Sequence, residues 1–133
     1  TFFIKDGYAI EKALQAGYNL IIISGGFEES VHKRLTFLGI KDIFLGIKDK
    51  IDVFNKLLID KGINSSDILY MGDDIPDMKV LKLVGLPTCP NDAVGDVKEV
   101  CAYISSYNGG RGAVRDVIEK TMKAQGKWLK DIW

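Results

Sequence analysis

The sequence predicts an α/β domain in which helices cover both faces of a mostly parallel sheet. Short branched apolar runs alternate with segments of helical spacing along the 133 residues. The first and third apolar runs end abruptly in loops of small or acidic residues. Such alternation with short turns is typical of parallel strands joined by crossover helices. Ligands of these sheets bind beyond the carboxyl ends of the strands, so the loops that follow the strands are the candidate site.

Hydrophobic spacing predicts each element in order. Apolar residues recur at helical spacing over 8–16, 28–38, 50–61, 77–83 and 113–125. Glycines at positions 17 and 39 follow the first two helices as stop signals. Runs at 20–23, 43–45 and 68–71 predict short buried strands, and Leu86 and 102–104 are weaker strand candidates. We see no repeat, linker or low-complexity segment, so a single domain over residues 1–133 is expected.

Composition restricts the classes of partner. Lys plus Arg and Asp plus Glu each number 18, so the net charge gives no reason to expect nucleic acid or an anionic membrane as a partner. No apolar run approaches the ~20 residues of a membrane span. Cys89 and Cys101 lack metal-site spacing and are interpreted as small apolar residues in a reducing compartment. We therefore expect a cytoplasmic protein.

The strongest chemical signal is the segment from Gly72 to Asp77, which holds three carboxylates directly after a predicted strand. The side chains of Asp73, Asp74 and Asp77 would repel one another, and a hard cation would offset that cost. Magnesium prefers such oxygen ligands. The alternative is a solvated acidic turn in which Asp77 is a helix N-cap.

Three weaker signals occur at other loops. Ser24 and Gly25 follow the first predicted strand and offer a hydroxyl and amides for phosphate oxygens, or simply a turn. Lys50 begins a predicted helix against the helix dipole, which indicates either a nearby anion or an ordinary surface lysine. Arg111 lies among glycines 109, 110 and 112, in a flexible loop or in a binding site for carboxylate or phosphate.

Taken together, these motifs resemble the haloacid dehalogenase superfamily. A hydroxyl and glycine after one strand, a lysine before a helix and then GDxxxD after a later strand is the order of its motifs II, III and IV. Four further segments resemble the 3-deoxy-D-manno-octulosonate 8-phosphate phosphatases within that superfamily: 3–10 (FIKDGYAI), 84–86 (VGL), 91–93 (NDA) and 109–115 (GGRGAVR). Asp116 stands where that family has Glu.

The resemblance implies a capless, three-layer α/β/α Rossmann-like fold and a magnesium-dependent phosphatase that acts through an aspartyl-phosphate. It also implies a homotetramer, a keto-sugar-acid phosphate substrate and a role in lipopolysaccharide or capsule synthesis. Ser24 and Gly25 would bind the phosphoryl group, and Lys50 would neutralise phosphate and nucleophile. Mg²⁺ would be bound by Asp73 and Asp77 and, less directly, by Asp74. The sugar acid would be bound by Arg111, Lys5 and Asp6.

The sequence departs from the family pattern at the first motif, DxDG, because no DxD precedes Ser24. Asp6 aligns with a later segment and is expected to be a helix cap or a substrate-side residue instead. The family places the DxD strand between the strands predicted at 20–23 and 68–71, so its absence would leave a gap with unpaired backbone groups. We therefore expect a few tens of N-terminal residues to precede this segment in the complete protein.

A non-catalytic function is the alternative. Similar domains occur with sugar-acid cytidylyltransferases, where they serve assembly, and the missing nucleophile favours this function. The retained Lys50, Asp73 and Asp77 favour catalysis. A response-regulator receiver would need an acidic pair and a phosphoryl-accepting Asp on earlier strands, and neither is present. The sequence does not distinguish eight-carbon from nine-carbon substrates.

Overall fold

The computed structural model describes residues 4–129, with side chains from Asp6 onward. The described part of the chain contains six α-helices, five β-strands and two 3₁₀ turns, at Ser65–Asp67 and Ile75–Asp77. In chain order the helices and strands are α1 (Ile4–Gln15), β1 (Ile21–Ile23), α2 (Glu29–Phe37), β2 (Asp42–Phe44), α3 (Lys50–Lys61), β3 (Leu69–Met71), α4 (Met78–Leu81), β4 (Leu86–Cys89), α5 (Gly95–Val100), β5 (Tyr103–Ile104) and α6 (Ala113–Ala124).

The strands form two parallel groups. β1 pairs with β2, and β4 lies between β3 and β5. No ladder joins β1 to β3 in the part of the chain that the structure describes. Ile23 of β1 and Tyr70 of β3 nevertheless pack against the same cluster around Phe54 of α3. The two groups are therefore linked by side chains rather than by a continuous sheet.

The strand edges at this division have no backbone partner among residues 4–129. Ser24 donates its N–H to the carbonyl of Phe44 over 2.9 Å, so the backbone groups of Ile23, the preceding residue, point away from β2. Gly72 likewise donates to Thr88 over 3.1 Å, so the backbone groups of Met71 point away from β4. The division thus lies between two parallel edges, at the position where sequence analysis places the gap.

Helices cover both faces of the strands, which confirms the three-layer α/β fold. Ile22 packs with α1, α2 and α6, whereas Ile23 packs with α3 and α4, because successive strand side chains point to opposite faces. Cys89 of β4 is buried among residues of α4 and α5. Both cysteines are free thiols. No helix among the described residues is long and apolar enough to cross a membrane.

The first and last helices, α1 and α6, pack against each other on one face of β1 and β2. Asp6 of α1 is buried, and its carboxylate accepts a hydrogen bond of 2.9 Å from the backbone N–H of Arg115 near the start of α6. The Arg115 guanidinium lies 5.6 Å from the ring centroids of both Tyr8 and Trp128. Asp6 lies within α1 and does not cap it, so the expected cap of the first helix is not observed; its carboxylate instead accepts a backbone N–H from the first turn of α6.

Candidate functional site

The loops that follow β1 and β2 are held against each other. Gly46 donates to the carbonyl of Gly26 over 2.9 Å, and Ile47 donates to the carbonyl of Ser24 over 3.0 Å. The hydroxyl of Ser24 accepts the N–H of Gly26 over 3.2 Å. Because Lys50 follows Ile47 by three residues, the Ser24 loop and the start of α3 lie on one side of the carboxyl edge.

Lys50 reaches from α3 to the acidic loop after β3. Its Nζ lies 2.9 Å from Oδ1 of Asp77, and the exposed fractions of the two side chains are 13% and 2%. This nearby carboxylate supplies a reason for a lysine in the first turn of a helix. Lys50 is thus a half-buried, paired cation rather than an ordinary surface lysine.

Asp77 is the centre of a dense hydrogen-bond network. Its Oδ1 also accepts the Tyr70 hydroxyl over 2.7 Å, and its Oδ2 accepts the backbone N–H groups of Asp73 and Asp74 over 3.0 and 3.3 Å. Burial alone would raise the pKa of Asp77, but hydrogen bonds from Lys50 and Tyr70 outweigh it and lower that pKa below the ordinary 3.8. Asp77 is therefore an anion that the fold stabilises.

The local backbone is shaped to admit this carboxylate. A Cβ at Gly72 would lie 2.5 Å from Cβ of Asp77, so only glycine leaves room for the aspartate against the loop. Asp74 is the N-cap of the 3₁₀ turn and accepts the N–H of Ile75 over 2.7 Å, with Asp77 as the reciprocal partner of the capping box. The predicted helix over 77–83 begins one residue later, as α4.

Asp73 and Asp74 are both exposed residues, but the carboxylate of Asp73 lies beside that of Asp77, whereas the carboxylate of Asp74 caps the 3₁₀ turn. Burial and the charge of Asp77 raise the pKa of Asp73 above 3.8, while Lys50 partly offsets the effect. Two carboxylates thus share one lysine, which leaves excess negative charge at this edge. Among the described residues, no three His, Cys, Asp or Glu side chains are grouped so that they could hold a metal ion.

Tyr70 was not predicted from the sequence as a site residue. It lies on β3, two positions before Gly72, and packs against Phe54 with ring centroids 6.4 Å apart. Burial and the nearby Asp77 carboxylate raise the pKa of Tyr70, so its hydroxyl stays a donor. Alternation along β3 was the available signal, because it directs Tyr70 to the face that α3 covers.

Arg111 lies apart from this network. It is exposed in the loop between β5 and α6, and its side chain has no hydrogen-bond or ion-pair partner among the described residues. Asp6 is committed to α6 by its hydrogen bond with the backbone N–H of Arg115. Burial outweighs this bond and raises the pKa of Asp6. Lys5 lies in the first turn of α1, and its side chain is outside the described part.

Comparison with known proteins identifies the family. The family model described as haloacid dehalogenase-like hydrolase matches residues 7–89. The 3-deoxy-D-manno-octulosonate 8-phosphate phosphatase of Escherichia coli is 36% identical over 127 residues, which span 96% of this chain and 68% of that protein. The chain belongs to the haloacid dehalogenase-like hydrolases. Its identity to the E. coli enzyme groups it with the 3-deoxy-D-manno-octulosonate 8-phosphate phosphatases of that family.

Solved structures of other haloacid dehalogenase-like hydrolases match this fold. A 3-deoxy-D-manno-octulosonate 8-phosphate phosphatase from Moraxella catarrhalis, in complex with magnesium ion, phosphate ion and KDO, has a TM-score of 0.92 at 34% identity, covering 99% of this chain and 75% of that chain. A cobalt-bound phosphatase of the same name from Haemophilus influenzae has a TM-score of 0.90 at 30% identity, covering 96% and 74%. The predicted family and fold are confirmed, and this chain is a phosphoric monoester hydrolase by family.

Proposed function

We propose that this chain carries the phosphate- and metal-handling part of a magnesium-dependent phosphatase of keto-sugar-acid phosphates. The substrate would be 3-deoxy-D-manno-octulosonate 8-phosphate or a nine-carbon analogue. The observation that carries the proposal is the ion pair of Lys50 and Asp77 at the carboxyl edge. The Ser24 loop is bound to the segment that precedes Lys50, and the backbone of Asp73 is bound to Asp77. The names of the relatives from Escherichia coli and Moraxella catarrhalis support the substrate class.

Lys50 would supply positive charge to the transferred phosphoryl group. Its ammonium is held by Asp77 at 2.9 Å and retains further N–H donors for phosphate oxygens. The Ser24 hydroxyl and the N–H of Gly25 would bind the remaining oxygens, as expected from the sequence. A cation fixed in advance stabilises the charge that develops in the transition state without reorganisation.

Asp73 is the residue that fits a magnesium ligand. Its exposed carboxylate lies beside a second carboxylate, and the excess negative charge would attract a divalent cation. Asp77 is committed to Lys50 and Tyr70, so it would orient the surrounding groups, and Asp74 caps the 3₁₀ turn. Mg²⁺ keeps several waters and needs few protein ligands, so one aspartate from this chain is compatible with its binding. When bound, it would neutralise phosphate charge and polarise the phosphorus.

The nucleophile would be an aspartate on a strand that fills the division between β1 and β3. Unpaired backbone groups of Ile23 and Met71 face that division and would pair with such a strand. A carboxylate oxygen would form a bond to phosphorus as the bond from phosphorus to the sugar oxygen breaks, and the sugar oxygen takes a proton. Water would then cleave the aspartyl-phosphate and release inorganic phosphate.

The wider setting follows from the family resemblance. A homotetramer in the cytoplasm is proposed, with Arg111 on the sugar-acid side of the site. The product would supply sugars for lipopolysaccharide or capsule. The molar mass of the protein in solution, measured by light scattering, tests the tetramer independently of activity.

Phosphate release from 3-deoxy-D-manno-octulosonate 8-phosphate, with and without Mg²⁺, tests the function in the protein that contains this chain. We expect release only with Mg²⁺ and a loss of about 10²-fold or more in kcat for Lys50→Met, the usual effect of removing one donor to transition-state charge. Lys48→Met is the matched control, since Lys48 is exposed two residues earlier. Equal activity of the two variants would contradict the assigned role of Lys50.

The assembly function is the second candidate, because the Asp77 carboxylate already accepts hydrogen bonds from Lys50, Tyr70 and two backbone amides. A protein that neither releases phosphate nor binds Mg²⁺ at millimolar concentration would support assembly over catalysis.

A further inference from the structure

The loop that carries Arg111 (residues 107–112, the Arg111 loop) is anchored near its first end. Oδ1 of Asp92 accepts the N–H of Gly109 over 2.8 Å. The N–H of Asn91 donates to the carbonyl of Tyr107 over 2.8 Å, and its Nδ2 lies 3.3 Å from Oδ1 of Asn108. Two neighbouring residues of the turn after β4 thus hold three consecutive residues of this loop, one through a backbone N–H and two through side chains.

The second end of the Arg111 loop is anchored by a different element. Gly112 has a φ of 110°, a left-handed conformation that favours glycine, and begins the turn into α6. Asp6 of α1 accepts the N–H of Arg115 in the first turn of that helix. Arg111 therefore lies between two carboxylate anchors, and the freedom that remains is mostly that of its own exposed side chain.

The turn after β4 also contacts the candidate site. The N–H of Val94 donates to the carbonyl of Asp73 over 3.1 Å. Asp92 and Val94 are two residues apart, so one short turn holds the Arg111 loop at one point and the acidic loop at another. This arrangement sets the distance between the Arg111 backbone and the carboxylate proposed to bind the metal.

We propose that Asp92 is a positioning residue that places Arg111 for the carboxylate of the sugar acid. The inference rests on the proposed function, in which Lys50 and Ser24 take the phosphoryl end of the same substrate. A guanidinium on an anchored loop would bind a carboxylate with less loss of conformational freedom than one on a loose loop. The anchor contributes through geometry, because Asp92 itself, as an anion, would repel the substrate.

Titration calorimetry with two probes separates this inference from the proposed function. The first probe is 3-deoxy-D-manno-octulosonate, which has the carboxylate and lacks phosphate. The second is inorganic phosphate with Mg²⁺, which tests the Lys50 end. We expect Asp92→Ala to weaken binding of the sugar acid about tenfold, which corresponds to ~1.4 kcal/mol, and to leave phosphate binding unchanged. Asp92→Asn keeps an oxygen acceptor for Gly109 and should bind nearly as well as the wild type.

Asp96→Ala is the matched control for charge. Asp96 is exposed in the first turn of α5, four residues from Asp92, and it has no side-chain contact among the described residues. Removing an anion would by itself strengthen binding of the anionic sugar acid, and Asp96→Ala and Asp92→Asn share that change with Asp92→Ala. The positioning role therefore predicts that only Asp92→Ala weakens binding. Loss of sugar-acid affinity in all three variants would therefore overturn the positioning role.

Limited trypsin digestion reports on the anchor without any ligand. Cleavage after Arg111 should be faster in Asp92→Ala than in the wild type or Asp92→Asn, because the Arg111 loop loses its first anchor. Unchanged cleavage would overturn the anchoring, and faster cleavage with unchanged sugar-acid affinity would overturn its link to recognition.

In the binding experiment, a wild type that binds phosphate but no sugar acid overturns this inference alone. A wild type that fails to bind phosphate with Mg²⁺ contradicts the proposed function.

Discussion

Lys50 and Asp77, 27 residues apart, form an ion pair of 2.9 Å that joins the start of α3 to the loop after β3. The pair lies where the two strand groups approach each other through the cluster around Phe54. It fixes the position of the cation and commits Asp77 to holding it. Of the two exposed aspartates of the acidic loop, Asp74 caps the 3₁₀ turn, which leaves Asp73 for a ligand.

Replacement of Lys50 should destabilise the fold at neutral pH. Lys50→Met leaves the Asp77 carboxylate buried without its cation, and breaking a buried pair in this way costs about 3–5 kcal/mol. Hydrogen bonds from Tyr70 and two backbone amides remain, so we expect ~3 kcal/mol in the free energy of unfolding by urea. Lys48→Met should change it by less than about 0.5 kcal/mol.

Stability should fall in acid because of Asp77. Its folded-state pKa is lower than the ordinary 3.8, so its contribution is present above that value and is lost as pH falls through the folded pKa. Urea unfolding between pH 7 and pH 2 measures this loss. The penalty of Lys50→Met should shrink in the same range because the unpaired carboxyl group is protonated there. A penalty that is constant with pH would contradict this account.

Gly72→Ala should disturb the site through packing. The new Cβ would lie 2.5 Å from Cβ and 2.7 Å from Cγ of Asp77, so the aspartate must move away from Lys50. Overpacking of this kind costs about 1–3 kcal/mol. Gly95→Ala is the control, because a Cβ there meets nothing within 4 Å, and it should be neutral or slightly stabilising. Equal unfolding midpoints for the two variants would show that the acidic loop can move to accommodate the added Cβ without loss of stability, which would contradict this prediction.

Magnesium should stabilise the protein through Asp73. A ligand at ten times its Kd adds about 1.4 kcal/mol to the free energy of unfolding, enough to raise Tm by a few degrees. Asp73→Asn should abolish the rise in Tm with added MgCl₂, and Asp74→Asn should retain most of it because Asp74 mainly caps the 3₁₀ turn. A rise that survives Asp73→Asn would place the metal elsewhere.

Asp6 should act as a cap of α6 rather than as a catalytic group. Asp6→Ala removes the acceptor for Arg115 and should lower the free energy of unfolding by ~1–2 kcal/mol. Asp6→Asn keeps an oxygen acceptor and should cost much less. Asp60→Ala, an exposed aspartate of α3, serves as the control. Loss of phosphate release in Asp6→Asn without loss of stability would instead indicate a chemical role.

Local periodicity was sufficient for most elements, and long-range contacts explain the differences. α3 has the predicted bounds, 50–61, because a regular apolar stripe ends at Gly62 with a φ of 63°. α1 begins at Ile4, before the start that was predicted, because Asp6 and Gly7 resemble a turn in the sequence. In the structure both residues are helical, and the side chain of Asp6 bonds to α6. α5 (Gly95–Val100) was missed, since six residues show too little periodicity.

The site was predicted as a set of residue types, but not as a set of contacts. Lys50 and Asp77 were both predicted as site residues, but their pairing was not, because the contact depends on how α3 and β3 pack. In the sequence Tyr70 resembles an ordinary strand residue, and only the structure shows that its hydroxyl donates a hydrogen bond to Asp77. The two carboxylate anchors of the Arg111 loop lie on the turn after β4 and on α1, which no local pattern relates.

The packing of α1 against α6 has a consequence for biosynthesis. The contact of Asp6 with Arg115 joins residues 109 positions apart, and both helices cover the same face of β1 and β2. A ribosome must therefore synthesise and expose α6 before that face can be covered. Until then α1 and the inner side of β1 and β2 would present apolar surface to the cell. A stall in translation before residue 113 should leave a nascent chain that chaperones bind and proteases cleave readily.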